Sequence, residues 1–475
     1  MAADAVGQDR HIVIVGESSC GATRPIPLSF CADDRGHHHI GGGVIGATTA
    51  YFLTRHPRYD RRRHRVTLLE ASTIAAGASG KAGGLLALWA YPDELVGLSY
   101  RLHRELAEEH DGARRWGYRR VGCGSVRATV SHADLKRRAA EVEAIRQDGQ
   151  TDRQAPDSAP RPHDPPQKPW EKLPKQDEHA AGLLSEPSAQ LPPDLDYIDA
   201  AVVEHYQQMG QPETAETAQV HPLHFTTTLV SLAEERGVNV RLGAQVLRIV
   251  EREAGVETVE YLDRNTQTEV RLDHVTDVIV AAGPWTGVVL PRTKVTGLRA
   301  HSVVWQADVA PYAIFTDVAL PADYVPEHRV QAGQRRRRHT GRVDPEIYAR
   351  PFGEVYACGE PDVAVSLPAT ADLVAVDAIQ CADLVAYAGT ASSVLAAAPV
   401  TVRQACYLPR HIRFGDEHGP LIGRTRTPGL WVASGHTCWG IQNGPATGCL
   451  MAELLLDGRA SSANIDRLDP RKFKV

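Results

Sequence analysis

The chain has 475 residues, 43% of them hydrophobic, which is enough for two domains with buried cores. A formal net charge of −6 and a pI near 6.4 give no basis for a nucleic-acid partner. Eight cysteines without regular spacing argue against a disulfide scaffold, no apolar run reaches bilayer length and Met1 to Arg10 is no signal peptide, so a soluble, cytoplasmic protein without a transmembrane segment is expected.

In chain order, His11-Ile12-Val13-Ile14-Val15 reads as a buried parallel strand that meets a glycine at Gly16. Glu17 to His39 reads as nothing regular. They hold Cys20, Cys31 and His37-His38-His39, but in no zinc-ligand spacing, and no metal site is expected. Gly41-Gly42-Gly43-Val44-Ile45-Gly46-Ala47 then opens a helix over 48–55. Joining Gly16 to Gly42 produces Val-Ile-Val-Gly-Gly-Gly-Val-Ile-Gly-Ala, a strand–turn–helix dinucleotide fingerprint. Its glycines allow a sharp reversal, close approach of backbone to a pyrophosphate, and tight packing of helix on strand. The helix N-terminus presents unpaired N–H groups to the phosphates. Glu70 ends a second apolar strand, 65–69, where the acid that bonds an adenosine ribose is expected.

The insert 17–41 has a suggestive frame. Gly16-Glu17-Ser18 can be encoded with a splice-donor hexamer and Ile40-Gly41 with an acceptor AG, and removing 17–41 restores the motif in frame. An unspliced intron or gene-model error is the expected origin, a genuine surface loop the alternative.

Further along, the small residues of 75–84 let backbone lie against a flat ligand. A helix is predicted over 95–109, a strand near 124–128 and an amphipathic helix over 132–146. Prolines and charge over 149–193 predict a long excursion without regular structure. A helix from His221 to Arg236, strands 237–242 and 245–251, and a parallel strand from Asp277 into a glycine turn at Gly283-Pro284 follow. Arg335 to Arg338 reads as an exposed basic loop, and 346–359 as a hairpin turning at Phe352-Gly353. A strand over 429–436 and a helix over 444–456 close the chain.

Four segments in this order resemble the D-amino acid oxidase, glycine oxidase and sarcosine oxidase superfamily of FAD-dependent oxidoreductases, most nearly a fungal branch of it. They are the split fingerprint with Glu70, the loop Ser79 to Gly84, Val280-Ala281-Ala282-Gly283-Pro284-Trp285, and Gly419-Pro420-Leu421-Ile422-Gly423 through Gly435-His436 to Thr447-Gly448. The resemblance implies an α/β fold with a Rossmann-like FAD-binding domain, doubly wound on a mostly parallel sheet, over 10–116, 199–298 and 405–465. It implies an α+β substrate domain on an antiparallel sheet over 117–198 and 299–404. FAD is expected to bind non-covalently, with affinity reduced by the insert at the pyrophosphate turn.

By the same resemblance, Gly16, Gly42, Gly43 and Gly46 serve the pyrophosphate and Glu70 the ribose. Ser79, Lys81 and Gly83 border phosphate or flavin, and Val246 reaches the adenine by its backbone. Gly283 sits under the cofactor, and Gly435, His436, Ile441 and Thr447 line the ring. The expected reaction is hydride transfer from a small amine or amino-acid-like substrate to flavin, with O2 as acceptor.

The family's two carboxylate-binding arginines are missing: leucine stands at the first position in Cys406-Tyr407-Leu408-Pro409, and Thr437-Cys438-Trp439 at the second. Arg350 is the expected replacement anchor, with Tyr348, His436 and Trp439 as further catalytic candidates and His301 and Ser302 weaker ones. The alternative is a non-catalytic binding protein on the same fold, for instance in endosomal membrane traffic; the resemblance allows endosome association beside a cytoplasmic location.

Overall fold

The structure, a computed structural model, describes residues 9–16, 42–148, 190–210, 216–334, 339 and 341–475. The insert 17–41, most of the proline-rich excursion and the run Arg335 to Arg338 lie outside the described residues.

The first layer is a six-stranded sheet in the order Leu421–Arg424, Leu430–Ser434, Asp277–Val280, Arg10–Val15, His64–Leu69, Asn239–Arg241. All neighbours are parallel except the first pair. Arg10–Val15 is central, with Ile12, Val13, Ile14 and Val15 at 0% exposure, as an unbroken apolar run requires of a strand covered on both faces. Gly16 donates its N–H to the Leu69 carbonyl (2.8 Å), and the Gly42 carbonyl accepts from the Ala75 N–H (3.1 Å). A Cβ on Gly42 would meet the Leu68 side chain at 3.3 Å. Both ends of 17–41 therefore emerge at one rim of the sheet, beside the end of His64–Leu69.

The helix Val44–Arg55 starts four residues before the expected Thr48, because the Ser79 hydroxyl accepts the Val44 N–H at 2.9 Å and caps it from outside. The final helix, Gly440–Leu456, likewise starts earlier than the 444 expected from Pro445. Proline inside a helix removes the bond to the carbonyl four residues back. Here that carbonyl, Ile441 O, is met by the His103 Nε2 at 2.9 Å, and the Ala446 N–H is taken by the Ser99 hydroxyl at 3.1 Å. Both partners come from the helix Asp93–His110, so a tertiary contact replaces what the sequence removed. The two site helices pack through small residues: a Cβ on Gly448 would stand 2.4 Å from the Thr48 carbonyl carbon.

The second layer is a large sheet in the order Asp416–His418, Val400–Arg413, Val295–Gln306, Glu354–Cys358, Glu346–Arg350, Tyr312–Ala319, Gly122–Thr129, Val203–Gln208. It is antiparallel except for the parallel pairing of Tyr312–Ala319 with Gly122–Thr129. Side chains alternate between its faces. Ile347, Ala349, Val355 and Ala357 pack with Trp305 against the helices Ala378–Ala391 and Ser393–Ala397. Tyr348, Tyr356 and Cys358 face the other way, into a cluster with Trp89, Phe315 and Trp439. The hairpin Glu346–Arg350/Glu354–Cys358 turns at Phe352 and Gly353, both left-handed (φ 70° and 72°). No helix of the described residues is long and apolar enough to cross a membrane.

Candidate functional site

A cleft of about 690 Å3, counting its open mouth, lies between the two layers. The turn before Val44–Arg55 forms one end of it, through Gly43, Val44, Ile45 and Ser79. The strand end at Ala281 and Gly283 forms its floor, and Leu408 and Pro409 form a wall. His436, Thr437, Cys438, Gly440 and Ile441 complete the lining, at the start of the last helix. Gly283 adopts φ 50° and nothing lies within 4 Å of where its Cβ would be, so the strand opens directly onto the space.

None of the side chains lining this cleft carries a formal charge. Its two titratable groups are held neutral. Burial lowers His436 to about 3 and raises the Cys438 thiol to about 12, the latter assisted by the Glu346 carboxylate. The Thr447 hydroxyl donates to the Asn443 carbonyl (2.9 Å) and must therefore accept from His436 Nε2 (2.9 Å), which assigns the neutral imidazole its Nε2–H tautomer. Positive potential comes instead from backbone: the N-termini of two helices, of 12 and 17 residues, open onto the cleft side by side, a Cβ on Gly440 lying 4.0 Å from Val44 Cγ1. Each presents N–H groups and about half a positive charge.

This donor set fits a dinucleotide. Pyrophosphate would meet the Gly43–Gly46 turn and the Ser79 hydroxyl, and the electron-rich edge of a ring would meet the N-terminus at Gly440. Glu70 is 1% exposed at the end of its strand; Oε1 accepts from the Ser72 N–H (2.9 Å), and Oε2 lies 2.5 Å from where a Cβ on Gly16 would stand. Only glycine at 16 leaves that carboxylate its place. Among the described residues no three His, Cys, Asp or Glu side chains gather as metal ligands.

The structure brings Gly43, Ser79, Gly283, His436 and Ile441 together as lining residues. Gly16, Gly42 and Glu70 stand at the adjoining rim, and Gly46 faces Ile14, whose Cγ2 a Cβ there would meet at 3.4 Å. Val246 is buried in a neighbouring three-stranded sheet against Val13, Val15 and Leu69. Thr447 acts through His436, and Gly435 (φ 92°) turns the chain into the cleft. Gly83 does not line the cleft but backs it, its absent Cβ leaving 2.1 Å to Tyr348. Lys81 points away and donates to the Ala405 carbonyl at 3.0 Å.

The candidate anchor Arg350 is not among the lining residues. Buried to 5% exposure, it pairs with Glu354 (2.8 Å), donates to His221 Nε2 (2.5 Å) and approaches the Ala82 carbonyl (3.4 Å). The hairpin register sets Arg350 opposite Glu354, so its two terminal nitrogens bond within the fold while Nε has no hydrogen-bond partner among the described residues. Tyr348 donates to Glu346 at 2.5 Å, and Trp439 sits in the aromatic cluster and precedes the last helix. His301 borders a separate pocket with Asp344 and Gln380, and Ser302 accepts from Gln404 (3.0 Å). Leu408, at the first missing arginine's position, does line the cleft. Sequence reasoning missed Pro409, Gly440 and the buried Glu346; the last sits in an alternating strand where a charged residue on the inward face was the available signal.

The chain's relatives agree with this geometry. The family model for FAD dependent oxidoreductases, DAO, matches residues 40–454, beginning just before the fingerprint's second half. The protein called Putative oxidoreductase TDA3 of Saccharomyces cerevisiae is 33% identical, covering 91% of this chain and 94% of that protein. Putative oxidoreductase C1F5.03c of Schizosaccharomyces pombe is 30% identical, covering 91% and 96%. Among solved structures, glycine oxidase from Geobacillus kaustophilus superposes with a TM-score of 0.58 at 18% identity, covering 97% of this chain and 98% of that one, a likeness of fold. With a family match over most of its length and a cleft built for a dinucleotide, the chain belongs to the DAO family of FAD-dependent oxidoreductases, and FAD is its cofactor.

Proposed function

We propose that the protein oxidises a small amine or amino-acid-like compound, using non-covalently held FAD, with O2 as acceptor. The carrying observation is the cleft without charged side chains onto which two helix N-termini open. When bound, FAD supplies the hydride acceptor. The chain's own contribution is orientation and potential. Gly43 and Ile45 offer backbone N–H groups to the phosphates beside the Ser79 hydroxyl, while Gly440 and Ile441 turn the positive end of a helix toward the ring's pyrimidine side, favouring negative charge there. His436 stays neutral and shapes the cleft rather than charging it.

A wall without charged side chains disfavours an ammonium and favours the neutral amine, the form whose adjacent carbon can release hydride. Holding that carbon over the ring supplies much of the rate. Tyr348 and Trp439, in the aromatic cluster behind Cys438, are proposed to bound the substrate, and Arg350 to act only by fixing the hairpin. Cys438 is kept as the thiol, a poor nucleophile, which supports non-covalent FAD. A cytoplasmic location, with endosome association, remains part of the proposal.

An anaerobic screen of amines and amino acids against the flavin-loaded protein tests this. Bleaching of the flavin by an amine is expected. Stable flavin binding with no bleaching across the screen would instead favour a binding protein on this fold, to which the absence of arginine from the cleft wall also points.

A further inference from the structure

The hairpin joining Val400–Arg413 to Asp416–His418 sets Arg413 opposite Asp416 and turns on Phe414 and Gly415. Both turn residues take positive φ, 55° and 94°. The first position of such a turn favours asparagine, aspartate or glycine, and a bulky ring there is an outlier. Packing does not explain the ring either. Phe414 is fully exposed (103%), and nothing lies within 4 Å of where a Cβ on Gly415 would be, so the ring stands at the tip of a projection. Phe352 opens another left-handed Phe-Gly pair, but its ring packs against His221 and His224, with centres 5.9 and 5.4 Å apart. Phe414 has no such contact among the described residues.

The surface behind the tip is basic. The Ile412 N–H donates to the Lys294 carbonyl (3.2 Å), and the Arg413 guanidinium donates to the Arg292 carbonyl (2.7 Å). The same guanidinium lies 5.5 Å from the centre of the Phe473 ring, which Lys472 and Lys474 flank in the chain. Arg292, Lys294, Lys472 and Lys474 are exposed. Arg410 and Arg471 are paired with Glu417 and Asp469, whereas Arg292, Lys294, Arg413, Lys472 and Lys474 enter no ion pair among the described residues. Against them the turn sets a single carboxylate, Asp416. Lys294 and Lys474 are also left-handed (φ 58° and 61°), each ending a short helical turn, Pro291–Thr293 and Pro470–Phe473, where glycine is the easy residue. Neighbouring left-handed positions thus carry a phenyl ring and two ammonium groups that the backbone disfavours, in a chain whose net charge is −6.

A ring held in front of cations suits a surface that is anionic and yielding. In a bilayer the phenyl enters the boundary between headgroups and acyl chains, while the cations stay level with the lipid phosphates. A folded acidic protein would need a pocket shaped to the ring. We propose that the Phe414 hairpin and the basic surface around it dock the protein reversibly on an anionic lipid surface. One ring with a few cations makes a weak, salt-sensitive contact rather than an anchor. The docking does not depend on the chemistry proposed above.

Flotation of the full chain with vesicles of phosphatidylcholine, with and without phosphatidylserine, tests this. Binding is expected to the anionic vesicles at low ionic strength, with release by salt. Phe414→Asn removes the ring while easing the turn, so Tm should hold or rise while affinity for anionic vesicles falls roughly tenfold. Phe414→Trp should restore the affinity. Lys294→Asn and Lys474→Asn suit their left-handed backbone and should each weaken binding roughly fivefold. Failure of the wild-type chain to float with anionic vesicles at low salt would overturn the proposal, as would equal binding to phosphatidylcholine alone. So would wild-type affinity in Phe414→Asn, the mark of a purely electrostatic contact that any acidic partner could make.

Discussion

At the scale of single residues, Ser79 and Glu354 carry the clearest consequences. The Ser79 hydroxyl accepts the Val44 N–H at 2.9 Å and lines the cleft. Ser79→Ala should cost about 1 kcal/mol in stability, as lost helix caps do, and weaken FAD binding, read by denaturant unfolding and flavin titration. Glu354→Gln leaves Arg350 buried without its counter-charge and should destabilise by on the order of 3 kcal/mol. If Arg350 were instead a substrate anchor, the same change would leave stability near wild type and alter substrate affinity. The glycines, Ser79 and His436 were legible because backbone approach and a turn impose spacing on the sequence. Arg350 was not, because its partner is set by strand register, and its direction by which face of the hairpin meets the cleft.

At the scale of elements, the last helix deserves the closest reading. Its first turn lines the cleft, yet Pro445 lies inside the helix and strips a hydrogen bond from Ile441 O. His103, with its pKa lowered to about 4 by burial, supplies the replacement as a neutral donor. His103→Leu should therefore cost about 1–3 kcal/mol by urea unfolding, the penalty of one buried unsatisfied carbonyl. An unchanged midpoint would mean that water restores the bond. This explains why the sequence placed the helix start four residues late. Proline is most at home in a first turn, and nothing local to 440–445 shows that a histidine more than 300 residues earlier completes the helix. The parallel strands, by contrast, were readable as unbroken apolar runs, and the hairpin from its turn residues.

At the scale of the whole molecule, five imidazoles are buried in the neutral form. Burial lowers His11, His103, His221 and His411 to about 4 and His436 to about 3. The unfolded chain takes up these protons near pH 6.5, the folded protein only near 4 or below. The unfolded state thus binds more protons within that window, and stability that is complete above pH 6.5 is lost as pH falls through it. Thermal melts should show Tm roughly constant from pH 8 to 7 and falling steadily toward pH 4; a flat profile would contradict the burial of these groups.

The insert 17–41 also belongs to this scale. The sheet centre survives it, since Arg10–Val15 is paired on both sides, and both ends of the insert leave from the rim beside Glu70 and the pyrophosphate turn. Closing a longer loop costs little, so the fold tolerates the segment while the cofactor's own turn carries the interruption. The decisive measurement is flavin content, as bound FAD per protein after saturation and desalting, for the full chain and for a form in which Gly16 is joined directly to Gly42. The account predicts that the shortened form retains close to one FAD and the full chain distinctly less. Two colourless proteins would contradict it.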